Sequence, residues 1–286
     1  MTKFFSYGQV LPTHRSKHSP HGGLFQPSIA EAIRILSRQP FHKDPNAPPP
    51  PLTYTTTGTD CITAPSAYHR NRHGWVHVFP EGLVHQHPSV DLRYFKWGVA
   101  RLILESEPAP EIVPMFIDGN QYIMPEFRTF PRFLPRIGKR IKVAFGDVVD
   151  YEATFGDLRR KWQALVARET KKTKALPTTA TSNGTTTATD DSSNSVITQR
   201  SQTQQDPASF PLGELPDSLK YSKEAEDIRI EVARRMREEV AKVRSKLGGY
   251  PESDPKLGEA ATWKADDDMK QKKYKSMVDG SDINQD

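Results

Sequence analysis

The chain contains 286 residues, with 40 Lys and Arg against 35 Asp and Glu and a net charge of +5 at pH 7. Its hydrophobic share of 35% is lower than that of an ordinary globular domain, so part of the chain is not expected to join a packed core. One cysteine excludes a disulfide scaffold, and no apolar run is long enough for a transmembrane helix. The basic balance permits an acidic partner, nucleic acid or anionic lipid, without choosing between them.

Apolar patterns in the first 172 residues alternate between strand and helix. They predict strands at 4–11, 75–79, 112–117 and 141–145, and helices at 28–36, 92–106 and 155–166. Ser28 and Glu31 match a capping box at the start of the first helix, and the turn at 80–82 ends the second strand. Alternation of this kind predicts an α/β layer fold.

A long amphipathic helix is predicted at 219–247, where apolar residues recur at intervals of 3, 4, 4, 4, 3 and 4 until Gly248 and Gly249 end the pattern. Nine basic and six acidic residues surround the apolar stripe. We expect this helix to pack on the main domain or on a partner protein's helix. A membrane-lying or calmodulin-type role fits the mixed charge less well.

Composition divides the chain into three predicted parts. Residues 1–172 would form the α/β domain, interrupted at 40–72 by an exposed loop rich in Pro and Thr. Residues 173–213 are rich in Ser, Thr and Gln and nearly free of large apolar side chains, which predicts a disordered linker. Residues 214–286 are highly charged and would form a helical C-terminal extension.

The sequence Phe79-Pro80-Glu81-Gly82 lies between a predicted strand and a predicted helix that carries Arg93 and Lys96. Ligands in α/β folds bind at the carboxyl ends of strands. Two cations at positions i and i+3 of a helix would reach the same phosphate. The pattern therefore indicates an anion site beside one carboxylate, the alternative being a simple turn next to a solvated basic face.

The segment 127–142 contains six Lys and Arg and no acidic residue, interleaved with aromatic and aliphatic side chains. Its prolines argue against a regular helix, so we expect a docking loop for a membrane interface or nucleic acid, with an ordinary exposed loop as the alternative. Each cation near an anionic leaflet contributes on the order of 1 kcal/mol. The candidate membrane contacts are Phe127, Arg128, Phe130, Arg132, Phe133, Arg136, Lys139 and Arg140.

Five blocks of this sequence resemble, in order, the tafazzin family of fungal type within the glycerolipid acyltransferase superfamily. They are FFSYGQVLPTHR, GWVHVFPEG, RYFKWGVARLILES, IVPMFIDG and LKYSKEAEDIRIEVARRMREEV. The likeness covers about residues 3–36, 73–170 and 214–265. It implies a mixed sheet flanked by helices, followed by the C-terminal amphipathic helix.

The resemblance also implies an activity. Tafazzins move a fatty acyl group between a phospholipid, above all cardiolipin, and a lysophospholipid, without coenzyme A, another cofactor or a catalytic metal. On this basis Glu81 would assist at the acceptor site, and Phe79, Pro80, Gly82, Arg93 and Lys96 would bind the substrate. The partners would be phospholipids and a membrane surface rather than nucleic acid. The location would be peripheral, on mitochondrial outer and inner membranes facing the intermembrane space.

The family pattern includes His-x-x-x-x-Asp, in which His is the general base and Asp orients its ring. None of the nine histidines in this sequence has Asp five positions later. We therefore expect a chain truncated at its N-terminus, lacking that base and a sheet edge, and the alternative function is a non-catalytic module that binds anionic phospholipid. His77 is expected to be a packed or hydrogen-bonded strand residue, and His85 and His87 near Asp91 to be surface residues rather than metal ligands.

Overall fold

The computed structural model describes residues 8–16, 18–38, 41, 50–68, 74–82, 86–87, 89–125, 134–175 and 210–265. The first half of the predicted strand at 4–11, the aromatic half of the docking loop at 127–133 and most of the predicted linker lie outside these residues. No helix among the described residues combines the length and the apolar content needed to cross a bilayer.

Helices dominate the described parts of the chain, with short strands between them. In chain order the elements are α1 (Pro27–Leu36), β1 (Thr53–Tyr54), β2 (Ile62–Thr63), α2 (Pro65–Tyr68), α3 (Gly98–Glu105), β3 (Met115–Asp118), α4 (Asn120–Ile123), β4 (Lys142–Phe145), α5 (Tyr151–Ala175), α6 (Asp217–Tyr221), α7 (Lys223–Leu247), a 3₁₀ turn (Pro255–Gly258) and α8 (Ala260–Ala265). This mixture of helices and small sheets agrees with the expected α/β class.

The strands form two antiparallel pairs, β1 with β2 and β3 with β4. In the second pair Met115 lies opposite Phe145, and Phe116 lies opposite Ala144. Residues directly opposite each other in an antiparallel pair point to the same face of the sheet, so Phe116 and Ala144 share one face. This face packs into the core. The pair thus anchors the segments on either side of it to the helices.

The main hydrophobic core lies between α3, α5 and α7. The apolar stripe predicted for the long helix is buried there at Ala225, Ile228, Val232, Met236, Val240 and Val243. Of the two predicted alternatives, packing on the main domain or on a partner protein's helix, the structure shows the first. It is also divided in two, because Ser222 ends α6 and caps α7 by accepting a hydrogen bond from the backbone N–H of Ala225 at 3.4 Å.

The predicted capping box at the start of α1 is wrong. The Ser28 hydroxyl donates to the carbonyl of Pro12, and the buried Glu31 carboxylate accepts from the backbone N–H of Ser66 at 2.8 Å. The helix instead begins after Gln26, with Pro27 in its first turn. Both polar side chains are used to tie α1 to other segments, which a local cap pattern does not reveal.

Two further element predictions fail for reasons that matter at the candidate site. Residues 75–79 form no strand. A β-favouring sequence forms a strand only where a neighbouring strand is available to pack against it, so the sequence of the segment alone does not decide the outcome. The helix predicted from Leu92 begins only at Gly98. Residues 91–97 are irregular, and the backbone N–H groups of Arg93 and Lys96 bond to the turn at 80–81 rather than within a helix.

The segments assigned to loop and linker contain ordered structure. Within the predicted Pro- and Thr-rich loop, β1 and β2 form a hairpin around Asp60, whose carboxylate accepts hydrogen bonds from Thr56, Thr55 and Thr57 that lower its pKa. At the end of the predicted linker, Phe210 and Leu212 pack against the two core clusters. The stretch at 210–213 is therefore part of the packed structure.

Candidate functional site

The turn at 79–82 lies against the irregular segment that precedes α3. The turn is closed by a hydrogen bond from Gly82 N–H to the Phe79 carbonyl at 3.1 Å. Lys96 N–H donates to the Pro80 carbonyl at 2.7 Å, and Arg93 N–H donates to Oε2 of Glu81 at 3.2 Å. The structure thus brings the Glu81 carboxylate and the backbone of both cationic residues together, as their closeness in sequence indicated.

Lys96 makes the closest approach to the turn. Gly82 has a φ of +69°, and a β-carbon at this position would lie 3.0 Å from Cγ of Lys96. The Lys96 ammonium donates to the Tyr94 hydroxyl at 3.0 Å and lies 5.1 Å from the centre of the Tyr94 ring. Glycine therefore allows the lysine stem to lie along the turn, while Tyr94 orients the charged end.

A third cation reaches the turn from the N-terminal part of the chain. The exposed Arg15 donates from Nη2 to the carbonyl of Gly82 at 3.3 Å. The sequence prediction missed Arg15, because 67 residues separate it from Gly82 and no local spacing relates the two. The Arg15 guanidinium therefore adds a positive charge to that of Lys96 beside Gly82.

Arg93 is not arranged as the sequence predicted. It lies on irregular backbone rather than on a helix, and it is only 7% exposed. Its guanidinium lies 4.7 Å from the ring centre of Tyr94 and 5.3 Å from that of Trp263 in α8. The expected pair of Arg93 and Lys96 side by side on one helical face is therefore wrong, and Arg93 lies behind the turn, under aromatic rings.

Two exposed aromatic side chains, Trp75 and Phe79, lie on the segment that reaches the turn at 79–82. Trp75 and Phe79 are 80% and 69% exposed, whereas Val76 packs against the smaller core cluster around α1 and α3. The ring of His77 lies 4.5 Å from that of Phe79. His77 was predicted to be a packed or hydrogen-bonded strand residue, but it is exposed because no strand forms there.

The described part of the basic segment at 134–142 presents cations and apolar side chains to solvent. Lys139 and Arg140 are exposed, and Ile137 is 95% exposed. Arg136 is half-buried, and its backbone N–H donates to the carbonyl of Ile123 at 2.8 Å. The aromatic residues predicted to accompany these cations, from Phe127 to Phe133, lie outside the described residues.

Asp91 does not belong to a surface cluster with His87. Asp91 is buried, and its Oδ1 accepts from Leu92 N–H at 2.9 Å and from the Ser253 hydroxyl at 2.5 Å. The Nδ1 atom of His87 accepts from Ser89 N–H at 3.3 Å. Asp91 thus connects the segment before Arg93 to the chain that follows α7.

The charge closest to this connection is Arg237 of α7. Burial lowers the pKa of the Arg237 guanidinium, and the carboxylates of Asp91 and Glu81 oppose this effect. The side chain of Arg237 is thus within electrostatic range of the turn as well as of Asp91. No spacing in the sequence relates Arg237 to Glu81, so this electrostatic interaction was not predicted.

The sequence has extended similarity to known proteins, although no protein-family model matches it. It is 31% identical to the tafazzin of Saccharomyces cerevisiae over 275 residues, which cover 92% of this chain and 59% of that protein. It is 37% identical to the tafazzin of Drosophila melanogaster over 87 residues, covering 30% of this chain and 22% of that protein. It is 36% identical over 80 residues to the N-acylphosphatidylethanolamine synthase of Arabidopsis thaliana, covering 27% and 28%. The chain spans less than two thirds of the length of these curated relatives.

Proposed function

We propose that this chain, which is 31% identical to the tafazzin of Saccharomyces cerevisiae over 92% of its length, is a tafazzin-like acyltransferase of phospholipids. The reaction would transfer a fatty acyl group between a phospholipid and a lysophospholipid, with cardiolipin as the favoured substrate and without coenzyme A. The location would be peripheral, on mitochondrial outer and inner membranes facing the intermembrane space. Alignment with the yeast tafazzin over 92% of this chain supports the proposal.

The observation that carries the site assignment is the convergence of cations on one turn. Lys96 and Arg15 flank Gly82, and Arg93 lies behind Glu81. In this proposal a lipid phosphate lies between Lys96 and Arg15, because ionised donors make the strongest hydrogen bonds to phosphate oxygens. Arg93 contributes positive charge from its buried position, and Glu81 accepts from a glycerol hydroxyl of the acceptor.

The exposed side chains beside the turn suit a lipid surface. Trp75 and Phe79 would contact acyl chains or the headgroup boundary, with Pro80 and Gly82 shaping the backbone at the headgroup. The basic segment at 127–142 would add contacts to an anionic leaflet. Lys139, Arg140 and the exposed Ile137 lie in the described part of the chain and support this role.

A second candidate function is phospholipid binding by the same site without catalysis. It is favoured by one observation, the absence from this sequence of any histidine followed by aspartate five positions later. Acyl transfer needs a base for the acceptor hydroxyl, and an oriented histidine is the usual one. Binding needs only the turn, its cations and the lipid-facing surface.

Vesicle flotation would test the site. Vesicles of phosphatidylcholine with and without cardiolipin are compared for the unmodified chain, for Lys96→Gln and for Lys161→Gln, which removes an exposed lysine on α5. We expect cardiolipin-dependent binding that Lys96→Gln weakens by about fivefold, since one cation near an anionic leaflet contributes about 1 kcal/mol. Lys161→Gln is expected to bind as the unmodified chain does. Equal binding to both vesicle types would contradict the proposal.

Transfer of a labelled acyl group from phosphatidylcholine to lysocardiolipin in the same vesicles distinguishes the two candidate functions. Transfer that depends on the protein supports the acyltransferase. Cardiolipin-dependent binding without transfer supports the binding module.

A further inference from the structure

Three arginines of α7 are buried, although arginine is ordinarily a surface residue. Arg229, Arg237 and Arg244 are 1%, 5% and 1% exposed. Their spacing of eight and seven residues places them on the side of the helix that faces the domain. A buried guanidinium needs partners for its donors, so the groups that each arginine binds indicate what it does.

Arg237 binds the segment that carries the proposed headgroup cation. Its Nη2 donates to the Leu92 carbonyl at 2.7 Å, and its Nε donates to the carbonyls of Leu92 and Arg93 at 3.3 and 3.2 Å. Nη2 also donates to the Ser253 hydroxyl at 3.3 Å, and Ser253 in turn donates to Asp91. One guanidinium therefore holds the backbone at 92–93 against the chain that follows α7.

Arg244 acts on the same segment two helical turns further along α7. Its Nε donates to the Val90 carbonyl at 3.0 Å, and its Nη2 donates to the Ser89 carbonyl at 2.8 Å. Its Nη1 donates to the Pro251 carbonyl at 2.8 Å. Together the two arginines bind the carbonyls of four residues between 89 and 93, which explains why no helix forms there.

The opposite side of this segment binds the turn. Arg93 N–H donates to Glu81, and Lys96 N–H donates to the Pro80 carbonyl. The segment is thus fixed from one side by the arginines of α7 and from the other side by the turn. A lysine has three donors but on a single nitrogen, so it does not reproduce bonds that come from the separate Nε, Nη1 and Nη2 atoms of a planar arginine fork.

We propose that Arg237 and Arg244 are positioning residues for the turn at 79–82: they hold residues 89–93 so that Arg93 and Lys96 meet Pro80 and Glu81. The claim that this geometry binds phospholipid rests on the proposed function. The hydrogen bonds that create the geometry do not depend on that proposal. The C-terminal helix is accordingly part of the site, although none of its arginines contacts the turn's backbone among the described residues.

The chain offers a matched control in Arg229. It is as buried as the other two, but its fork donates to the carbonyls of Leu219 and Lys220, away from the site. The variants to compare are Arg237→Lys, Arg244→Lys and Arg229→Lys in the full chain. Each keeps the positive charge and loses the fork, so a purely structural role would affect all three alike.

The first readout is hydrogen–deuterium exchange of the Arg93 and Lys96 amides, which are the two that donate to the turn. We expect exchange at these amides to accelerate by about tenfold or more in Arg237→Lys and Arg244→Lys, through local opening, and to follow only the global stability change in Arg229→Lys. Equal acceleration in all three variants would overturn the positioning role.

The second readout is binding to cardiolipin vesicles, measured under conditions where every variant is folded. We expect Arg237→Lys to weaken binding by about fivefold, as Lys96→Gln does, and Arg229→Lys to leave it unchanged. If Lys96→Gln weakens binding but Arg237→Lys does not, the proposal that Arg237 positions the phospholipid site is wrong. If amide exchange changes as expected but the unmodified chain does not bind cardiolipin vesicles, the positioning role at the turn is supported and the proposed phospholipid function is wrong.

Discussion

Gly213 lies directly against α1. Its φ is +80°, and a β-carbon there would lie 2.6 Å from both Cα and Cβ of Ala30. Its carbonyl accepts from Nη2 of Arg101 at 2.9 Å, and the buried Arg101 is paired with Glu105. A single glycine thus combines a left-handed backbone, a close approach and a bond to a buried ion pair.

Gly213→Ala is expected to destabilise the fold by about 2–5 kcal/mol. This figure combines left-handed backbone strain of about 1–2 kcal/mol with overpacking of about 1–3 kcal/mol. Gly58→Ala is the matched control, because Gly58 has a φ of +86° but open space around a β-carbon, so only the backbone strain applies. Urea unfolding of both variants measures the difference, and equal losses would show that the contact with Ala30 costs nothing.

The candidate site was predictable only where its residues are close in sequence. The turn at 79–82 precedes Arg93 and Lys96 by few residues, so a short loop was enough to bring them together. Arg15, Trp263, Arg237 and Arg244 reach the same place across 67 residues or more, and no periodic pattern reports such contacts. The burial of Arg93 followed from these distant partners and could not be anticipated.

At the scale of elements, α5 and α7 are joined by ion pairs outside their apolar contact. Arg235 donates to Asp157 of α5 at 2.6 Å and to Glu231 of its own helix at 2.8 Å. Hydrogen bonds from Arg234 lower the pKa of Glu231 to about 2, with those from Arg235 adding to this and partial burial opposing it. The carboxylate is therefore more acidic in the folded chain than the reference value of 4.5.

This shift predicts a specific acid dependence. Because the folded pKa of Glu231 is the lower one, its contribution to stability is complete above about pH 4.5 and is lost as the pH falls towards 2. The pair is partly exposed, so we expect the contribution at neutral pH to be about 1 kcal/mol or less. Thermal unfolding between pH 2 and 7 should show a shallower acid loss in Glu231→Gln, with Glu252→Gln as the control for removing one exposed carboxylate.

The sequence predicted long helices better than strands, and the difference has a physical cause. The stripe of α7 is a property of that helix alone, since 3.6 residues per turn determine which residues share a face. A strand is stable only beside a partner, so the β-favouring residues from Trp75 to Phe79 did not form one here. Helix ends also depended on distant groups, as the late start of α3 at Gly98 illustrates.

For the whole molecule, packing does not follow the compositional division of the chain. Phe155, Trp162 and Leu165 of α5 lie in the same buried cluster as Val232 and Met236 of α7. The described residues on both sides of the predicted linker therefore share one core. The charged C-terminal helical extension at 214–286 stays a prediction from composition, and its first half contributes apolar surface that the rest of the chain covers.

A chain that ends at residue 209 is therefore expected not to fold cooperatively. The shortened chain loses, among its other buried residues, the large apolar side chains of α6 and α7, which are Leu219, Ile228, Val232, Met236, Val240 and Val243. At about 1.5–3 kcal/mol for each, their burial contributes roughly 9–18 kcal/mol, as much as the whole stability of about 5–15 kcal/mol that a domain has.

A chain that ends at residue 265 is the control, because it keeps every contact among the described residues. Near-ultraviolet circular dichroism during heating should show a sharp transition for this control and none for the shorter chain. A sharp transition at an unchanged midpoint in the chain of 209 residues would mean that α3 and α5 form a sufficient core without α7.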